Sequence, residues 1–402
     1  MTNLPQGWKM ETLGEILSSD KYSIKRGPFG SALKKSFFVE KGIRIFEQYN
    51  PINNDPHWKR YFISHEKFQE LEAFKATEGD LLISCSGTLG KIVELPKDTE
   101  MGIINQALLK IRLNNIKILN SYFIYYFNSP IMQEKILEST LGSTIKNIAS
   151  VKILKQIEIP LPPLKKQERI VGILDESFAK IDESIKILEQ NLLNLDELMQ
   201  SALQKAFNPL KDNAKENYKL PQSWEWKSLE EISENISAGG DKPKNCTESK
   251  TAKNQIPVYA NGVNNNGLVG YTDKATIIKP SLTISARGTI GFVCIRKEPY
   301  FPIVRLISLI PCENILCLHY LYFCLNFFIA KGEGSSIPQL TIPKFKSLQI
   351  PLPPLKEQEQ IASHLDSVFE KTKALKELYT KELKDYEELK QSLLDKAFKG
   401  EL

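Results

Sequence analysis

The hexapeptide IPLPPL occurs twice in this chain of 402 residues, at 159–164 and again at 350–355, an offset of 191. Proline fixes φ and removes a backbone donor, so a segment this dense in proline ends one element and opens another. The same stop signal used twice points to a repeated unit, and the flanking residues extend the match. PLPPLKKQERI (160–170) answers PLPPLKEQEQI (351–361), and SALQKAF (201–207) answers SLLDKAF (392–398) at the same offset. Upstream, GST at Gly142 answers GSS at Gly334, LNSYFIYYFN ending at Asn128 answers CLHYLYFCLN ending at Asn326, ISCSGTLG (83–90) answers ISARGTIG (284–291), and LPQGW at Leu4 answers LPQSW at Leu220. Towards the N-terminus the offset grows from 191 through 198 and 201 to 216. Chance matches scatter; a drift in one direction is what duplication followed by loop deletion leaves.

The segment after the first proline box reads as a long helix. Leu174, Phe178, Ile181, Ile185, Leu188, Leu192, Leu195 and Met199 step alternately by four and three, which keeps one apolar stripe facing a partner helix. The second copy is less regular, with Leu365, Phe369, Leu375, Tyr379, Leu383, Tyr386, Leu393 and Ala397, and has no interior proline or glycine before Gly400. Two amphipathic helices of similar length satisfy each other as an antiparallel pair, so Leu174, Phe178, Ile181, Ile185, Leu188, Leu192, Leu365, Phe369 and Leu383 are the expected coiled-coil interface. The prolines then end the last strand of each globular segment (LKQIEI, FKSLQI) and launch the helix, since Pro is tolerated at the first turn. Separate surface helices packed on their own domains are the alternative.

The globular segments show short β-like runs such as DLLISCSG, ALLKIRL, SLTISARG and RLISLIP, split by Gly, Asn and Pro turns, with helical stretches between them. The expected fold class is therefore α/β (α+β): two mixed globular domains related by internal repeat and separated by two long helices. The expected boundaries are 1–158, 159–207, 208–349 and 350–402.

A 42% hydrophobic, 25% charged composition argues against disorder and fibrous repeats. The N-terminus MTNLPQGWKMETLGEI lacks a basic and then apolar leader pattern, six cysteines form no CxxC pair, and four histidines form no HxxxH. The expectation is a chain of the reducing cytoplasm without disulfide scaffold or zinc. ILCLHYLYFCLNFFIA (315–330) is interrupted by His319 and Asn326 and reads as a buried core helix rather than a membrane span.

Charge is unevenly placed. Of a net +5, residues 165–207 hold 6 basic against 8 acidic side chains and residues 356–402 hold 9 against 11, so the helical segments are −4 and the globular ones +9. Two mildly basic domains on a neutral spacer suit nucleic-acid binding. Particular loops sharpen this. KRGPFGSALKK (25–35) offers Lys25, Arg26, Ser31, Lys34 and Lys35 around flexible backbone amides, a phosphate-binding chemistry. PHWKRYF (56–62) interleaves His57, Lys59 and Arg60 with aromatic rings. VYANGVNNNGLVGYTDK (258–274) carries Asn261, Asn264, Asn265 and Lys274, and an asparagine amide matches adenine in the major groove. Ser86, Lys91, Lys146 and Arg287, beside the matched GT[LI]G and G[ST][ST]I turns, complete the candidate contacts. Hydrated turns and hairpin closure are the competing readings of these loops.

Catalytic motifs are missing: there is no GxGxxG, no GxxxxGK[ST], no [DN]PP[FY], no recognisable PD…ExK core and no nucleophile–base pair. A duplicated chain without a cofactor loop reads as a binding and positioning subunit. At this point its residues resemble a family. The doubled [IL]PLPPL-x2-Q-x2-I box, a long helix ending in LxKAF, and the GPFGSALK, YANGVNNNGLVGYTD and G[ST][ST]I turns look like the specificity subunit of type I restriction-modification systems. The resemblance covers nearly the whole chain. It implies two target-recognition domains, each reading one half of a bipartite site in double-stranded DNA. It also implies helices that space them and bind two modification (methyltransferase) subunits, and restriction subunits that join for cleavage. The chain itself then carries no catalytic residue, metal or cofactor, and S-adenosylmethionine belongs to the methyltransferase partners. A stand-alone tandem DNA-binding regulator and a coiled-coil scaffold without DNA binding remain the alternatives.

Overall fold

The computed structural model describes residues 5–138, 148–207, 221–329, 332–333 and 340–402. The chain divides into two compact units. One is Met1–Leu188 together with Lys381–Leu402, the other Glu189–Thr380.

In the first unit a four-stranded antiparallel sheet runs in the order Ile24–Arg26, Leu108–Ile111, Leu81–Ser84, Ile92–Glu94. Its two central strands are buried on both faces, which is why LLIS and LLKI are nearly continuous apolar runs. Alternate side chains divide between two cores: Leu81, Ile83, Leu109 and Ile111 join one cluster, Leu82 and Leu108 the other. The first cluster receives the helix Asn120–Phe127 through Tyr122, Phe123, Tyr126 and Phe127. Against the second lies a five-stranded sheet of short strands, including the parallel pair Ile43–Phe46 and Gly102–Ile104. The second unit repeats the four-stranded sheet as Ser233–Ala238, Ile307–Pro311, Ser281–Ile284, Val293–Arg296, but its accessory sheets have three and two strands. The expected core helix is Leu318–Phe328, with Tyr320, Leu321, Phe323, Cys324 and Leu325 buried. No described helix is long and apolar enough to cross a membrane.

The proline boxes now have a physical account. Each begins inside a strand, Glu158–Leu161 or Gln349–Leu352, two residues further than the LKQIEI and FKSLQI runs suggested. Pro160 and Pro351 are tolerated there because each strand pairs on one side only, with Lys9–Thr12 and Glu225–Ser228 respectively. The carbonyls the prolines leave exposed are taken by buried tyrosines: Tyr122 Oη donates to Pro160 O at 2.8 Å and Tyr320 Oη to Pro351 O at 2.7 Å. The glutamine of each box, wholly buried, locks the junction. Gln167 Oε1 accepts from Leu119 N (2.9 Å) while its Nε2 donates to Pro162 O (2.8 Å) and Lys117 O (3.0 Å). Gln358 repeats the set with Cys317 N (2.9 Å), Pro353 O (2.8 Å) and Ile315 O (2.9 Å). Leu119 and Cys317 are the N-caps of the core helices, so the glutamine takes the cap residue's own N–H, the part that an N3 Glu or Gln plays in a capping box and that Tyr122 and Tyr320 do not.

The long helices are Leu164–Phe207 and Leu355–Lys399. Leu174, Ile181, Leu188 and Leu195 are buried and Phe178, Ile185, Leu192 and Met199 half-buried between them, the seven-residue rhythm read from the sequence. Leu365 is buried; Phe369 and Leu383 are half-buried. Within each unit the helix segments run antiparallel. In the first, Leu174 and Phe178 share a core with Leu393, Leu394, Ala397 and Phe398, and Asp182 pairs with Lys390. In the second, Leu203 and Phe207 share one with Ala362, Leu365 and Phe369, and Asp196 pairs with Lys376. The LxKAF ends are thus core residues. Phe398 packs edge-on against Tyr122 and Tyr126 of the first unit at 5.4 and 5.0 Å, and Phe207 against Tyr320 of the second at 5.6 Å.

Candidate nucleic-acid interface

In the first unit the basic loop leaves the end of strand Ile24–Arg26. Gly27 is required there, because a Cβ would lie 1.8 Å from Asn105 O. Lys25 Nζ stands 5.4 Å over the Tyr22 ring and 5.1 Å over Phe74. Arg26 turns towards the carbonyls of Cys85 (3.4 Å) and Ile148 (3.5 Å) and lies 5.7 Å from the Phe29 ring. Both are half-buried, whereas Ser31, Lys34, Lys35 and the ring of Phe29, 68% exposed, face solvent.

The Arg26–Cys85 contact joins this loop to the hairpin that carries Ser86 and Lys91. Buried Ser84 closes that hairpin: its Oγ accepts from Lys91 N at 3.0 Å and its carbonyl from Gly90 N at 2.9 Å. Hairpin closure thus falls to Ser84, leaving Ser86 half-buried and Lys91 exposed. Burial pushes the Cys85 thiol up to about 12, so it stays protonated and is no nucleophile. Lys146 and the GST turn lie outside the described residues.

The loop of His57, Lys59 and Arg60 is held from beneath. Arg44, only 2% exposed, donates from Nη2 to Pro56 O (2.9 Å) and Trp58 O (2.7 Å), with its guanidinium 4.1 Å from the Phe46 ring. Buried Asn50 donates to Asp55 O and Trp58 O at 2.9 and 2.8 Å. Above this brace Trp58 stacks on Tyr49 at 4.3 Å. Two of the loop's side chains face carboxylates: Lys59 pairs with Glu100 at 3.1 Å, and His57 Nε2 lies 3.8 Å from Asp98. Arg60 sits over Tyr61 at 4.5 Å. Burial raises the Glu47 carboxyl, and the nearby Arg60 charge pulls it back. Nothing in the sequence distinguishes Arg44 or Asn50 from surface residues; their role comes from carbonyls 5 to 14 positions away.

In the second unit Asn261 spends its amide on the scaffold, which its place in an Asn-rich loop does not reveal. Its Nδ2 donates to Val304 O at 2.7 Å and its Oδ1 accepts from Ala286 N at 2.8 Å. It thereby ties together its own loop, the hairpin of Arg287 and the turn at Val304. Asn264 and Asn265 are exposed, and Asn265 and Asn266 have φ of 47° and 52°, a region asparagine tolerates. Arg296, 8% exposed, holds this tip by donating to Asn266 O at 2.5 Å and Thr283 Oγ1 at 3.0 Å, its guanidinium 3.5 Å from the Tyr259 ring. Arg287 is exposed. Lys274 is exposed beyond strand Leu268–Thr272, next to Asp273, whose carboxyl is lowered by a hydrogen bond from Asn245. Among the described residues no three His, Cys, Asp or Glu side chains form a metal-binding group.

Two like buried frames carry unlike exposed loops, and comparison with known proteins gives the family. The sequence profile described as "Type I restriction modification DNA specificity domain" matches residues 5–193 and again 221–385, so the chain belongs to that family and carries its domain twice. A type I specificity subunit of Mycoplasma pneumoniae is 33% identical over 224 residues, 54% of this chain and 57% of the relative, so the match spans little more than half that relative's length. The EcoBI specificity subunit of Escherichia coli is 23% identical over 359 residues, 80% of this chain and 73% of that one. The fold is that of a chain solved in a study of complex assembly and conformational transition of the type I restriction-modification system, with a TM-score of 0.81, 20% identity and complete coverage of both chains. The HsdS subunit from Thermoanaerobacter tengcongensis aligns with a TM-score of 0.63 at 20% identity over 99% of this chain and 98% of its own.

Proposed function

We propose that this chain is the DNA sequence-recognition subunit of a type I restriction-modification complex. The domain of each unit reads one half of a bipartite site. The long helices, paired as a coiled coil, set the half-site spacing and dock two modification subunits, which supply S-adenosylmethionine and the methyl transfer; restriction subunits join for cleavage. Lys34, Lys35 and Lys91 in the first domain and Asn264, Asn265, Lys274 and Arg287 in the second are the exposed candidates for DNA contact. His57, Lys59 and Arg60 form a second contact surface in the first domain.

The observation that carries this reading is the contrast between frame and loops. Gln167 and Gln358 make the same three hydrogen bonds, and the four-stranded sheets share one strand order. The accessory sheets and loops that the frames carry share neither strand number nor composition. A repeated scaffold with divergent loops suits two different half-sites read in the same manner. Methylation mapping in cells that carry this gene and its methyltransferase partner tests it. The expected motif is two short, unlike blocks separated by an unread run of fixed length. A palindrome, a single contiguous block, or a methylation pattern unchanged on deletion of the gene rules the reading out.

A further inference from the structure

The turn between Phe301–Pro302 and Ile307–Pro311 is built against its residues' own preferences. Val304 and Arg305 are consecutive and left-handed, with φ of 53° and 61°, and neither is glycine. A β-branched residue there is an outlier that persists only where its surroundings enforce it. Four hydrogen bonds do so: Val304 N to Gly240 O (2.8 Å), Arg305 N to Gly239 O (2.9 Å), Leu306 N to Ile303 O (3.0 Å), and Asn261 Nδ2 to Val304 O (2.7 Å). The approach also needs a glycine at 239, since a Cβ would meet Ile303 N at 2.6 Å.

Core packing does not repay this strain, because the Val304 side chain is 52% exposed. Nor does the frame demand it. The first unit makes the equivalent strand contact, Gly27 N to Leu108 O against Gly239 N to Leu306 O, yet its matching residues Gln106 and Ala107 are not left-handed. What the strained turn sets is Arg305. It is exposed, its guanidinium has no hydrogen bond or ion pair among the described residues, and it shares through Asn261 one braced platform with Arg287 and the Asn264–Asn265 tip.

Resting on the DNA-recognition reading above, we infer that Arg305 is a specificity-determining residue of the second domain, its guanidinium taking both N7 and O6 of a guanine in the major groove. A phosphate contact needs only a cation on a flexible stem. A two-point base contact also needs the stem to start from a fixed place, which a backbone held by four hydrogen bonds provides, and the unpartnered guanidinium then takes its plane from the guanine edge it meets.

The test maps methylation in cells carrying the full chain with its methyltransferase partner, as wild type, Arg305→Ala and Arg305→Asn. Asparagine tolerates the left-handed region and keeps the turn, and melting of the purified variants checks the fold. We expect a guanine in one half-site of the wild-type motif, and in both variants a loss of discrimination at that base pair alone of about tenfold or more, the other half-site unchanged. An unchanged motif, relaxation in the other half-site, or uniform loss over all sites overturns the assignment. If the wild type directs no sequence-specific methylation, the chain is not a recognition subunit and Arg305 reads no base.

Discussion

Replacing Gln167 by glutamate changes one atom's chemistry at a fully buried junction. The carboxylate still accepts from Leu119 N, but its second oxygen now faces Pro162 O and Lys117 O, which had received two N–H bonds at 2.8 and 3.0 Å. The buried carbonyl of Pro162 is left without its donor at about 1–3 kcal/mol, the partly buried one of Lys117 at less, and a charge is buried without a cation. Together these imply a loss of about 4 kcal/mol at pH 7, a large share of the stability of an ordinary domain. The variant's carboxyl is raised above its unfolded value of about 4.3, because burial disfavours the ion and the protonated form donates to a carbonyl. With a raised folded value the charge penalty is absent below pH 4.3, grows by about 1.4 kcal/mol per pH unit above it, and levels off at the folded value. Denaturant titrations of wild type and variant should therefore diverge as pH rises from 4 to 7. Hydrogen exchange in the helix Asn120–Phe127 should lose protection together with them. Gln167→Met should be destabilised with no such pH dependence. A glutamate variant as stable as wild type at pH 7, or a gap that does not change with pH, would show that these hydrogen bonds do not hold the junction.

Phe398→Ala should cost about 3–5 kcal/mol, as for a core aromatic, and expose the first unit's core, although the residue stands one position from the end of the helix Leu355–Lys399; thermal melting measures it. Lys34→Ala with Lys35→Ala should weaken binding to all duplexes alike and reduce the slope of log affinity against log salt by about one to two, read by titration at several salt concentrations. Double-mutant cycles on Asp182 with Lys390 and on Asp196 with Lys376 should return couplings below about 1 kcal/mol, since the aspartates are largely exposed; larger values would make these pairs more than register marks.

The repeat, the helical seam and the class of the fold were legible because each is periodic or duplicated within the sequence. Leu174 to Met199 advertise their stripe, and the structure buries every second one of them. The role of Gln167 was not legible, although its match to Gln358 was plain, because its partners lie up to 50 residues away in another element. The same holds for Arg44 and Arg296, single letters in apolar strands whose carbonyl partners are set by tertiary contact. Asn261 carries a part its loop does not announce: one amide N–H and the amide oxygen hold backbone groups of two other turns. The strands Phe38–Val39 and Phe62–Ile63 are two residues long, too short for any alternation to register. Left-handed Val304 and Arg305 carry no sequence signal, since glycine or asparagine is what such a turn leads one to look for.

The first unit takes its chain from both ends of the sequence, while the second is one uninterrupted run, Glu189–Thr380. Synthesis from the N-terminus therefore inverts the order of completion. Residues 1–188 emerge first, yet the core around Tyr122 and Tyr126 stays open until Leu394, Ala397 and Phe398 leave the ribosome, by which time all of the second unit has been made. The half of the protein that is translated first is the last to close, and a stop codon before Lys381 damages the half that lies farthest from it along the message.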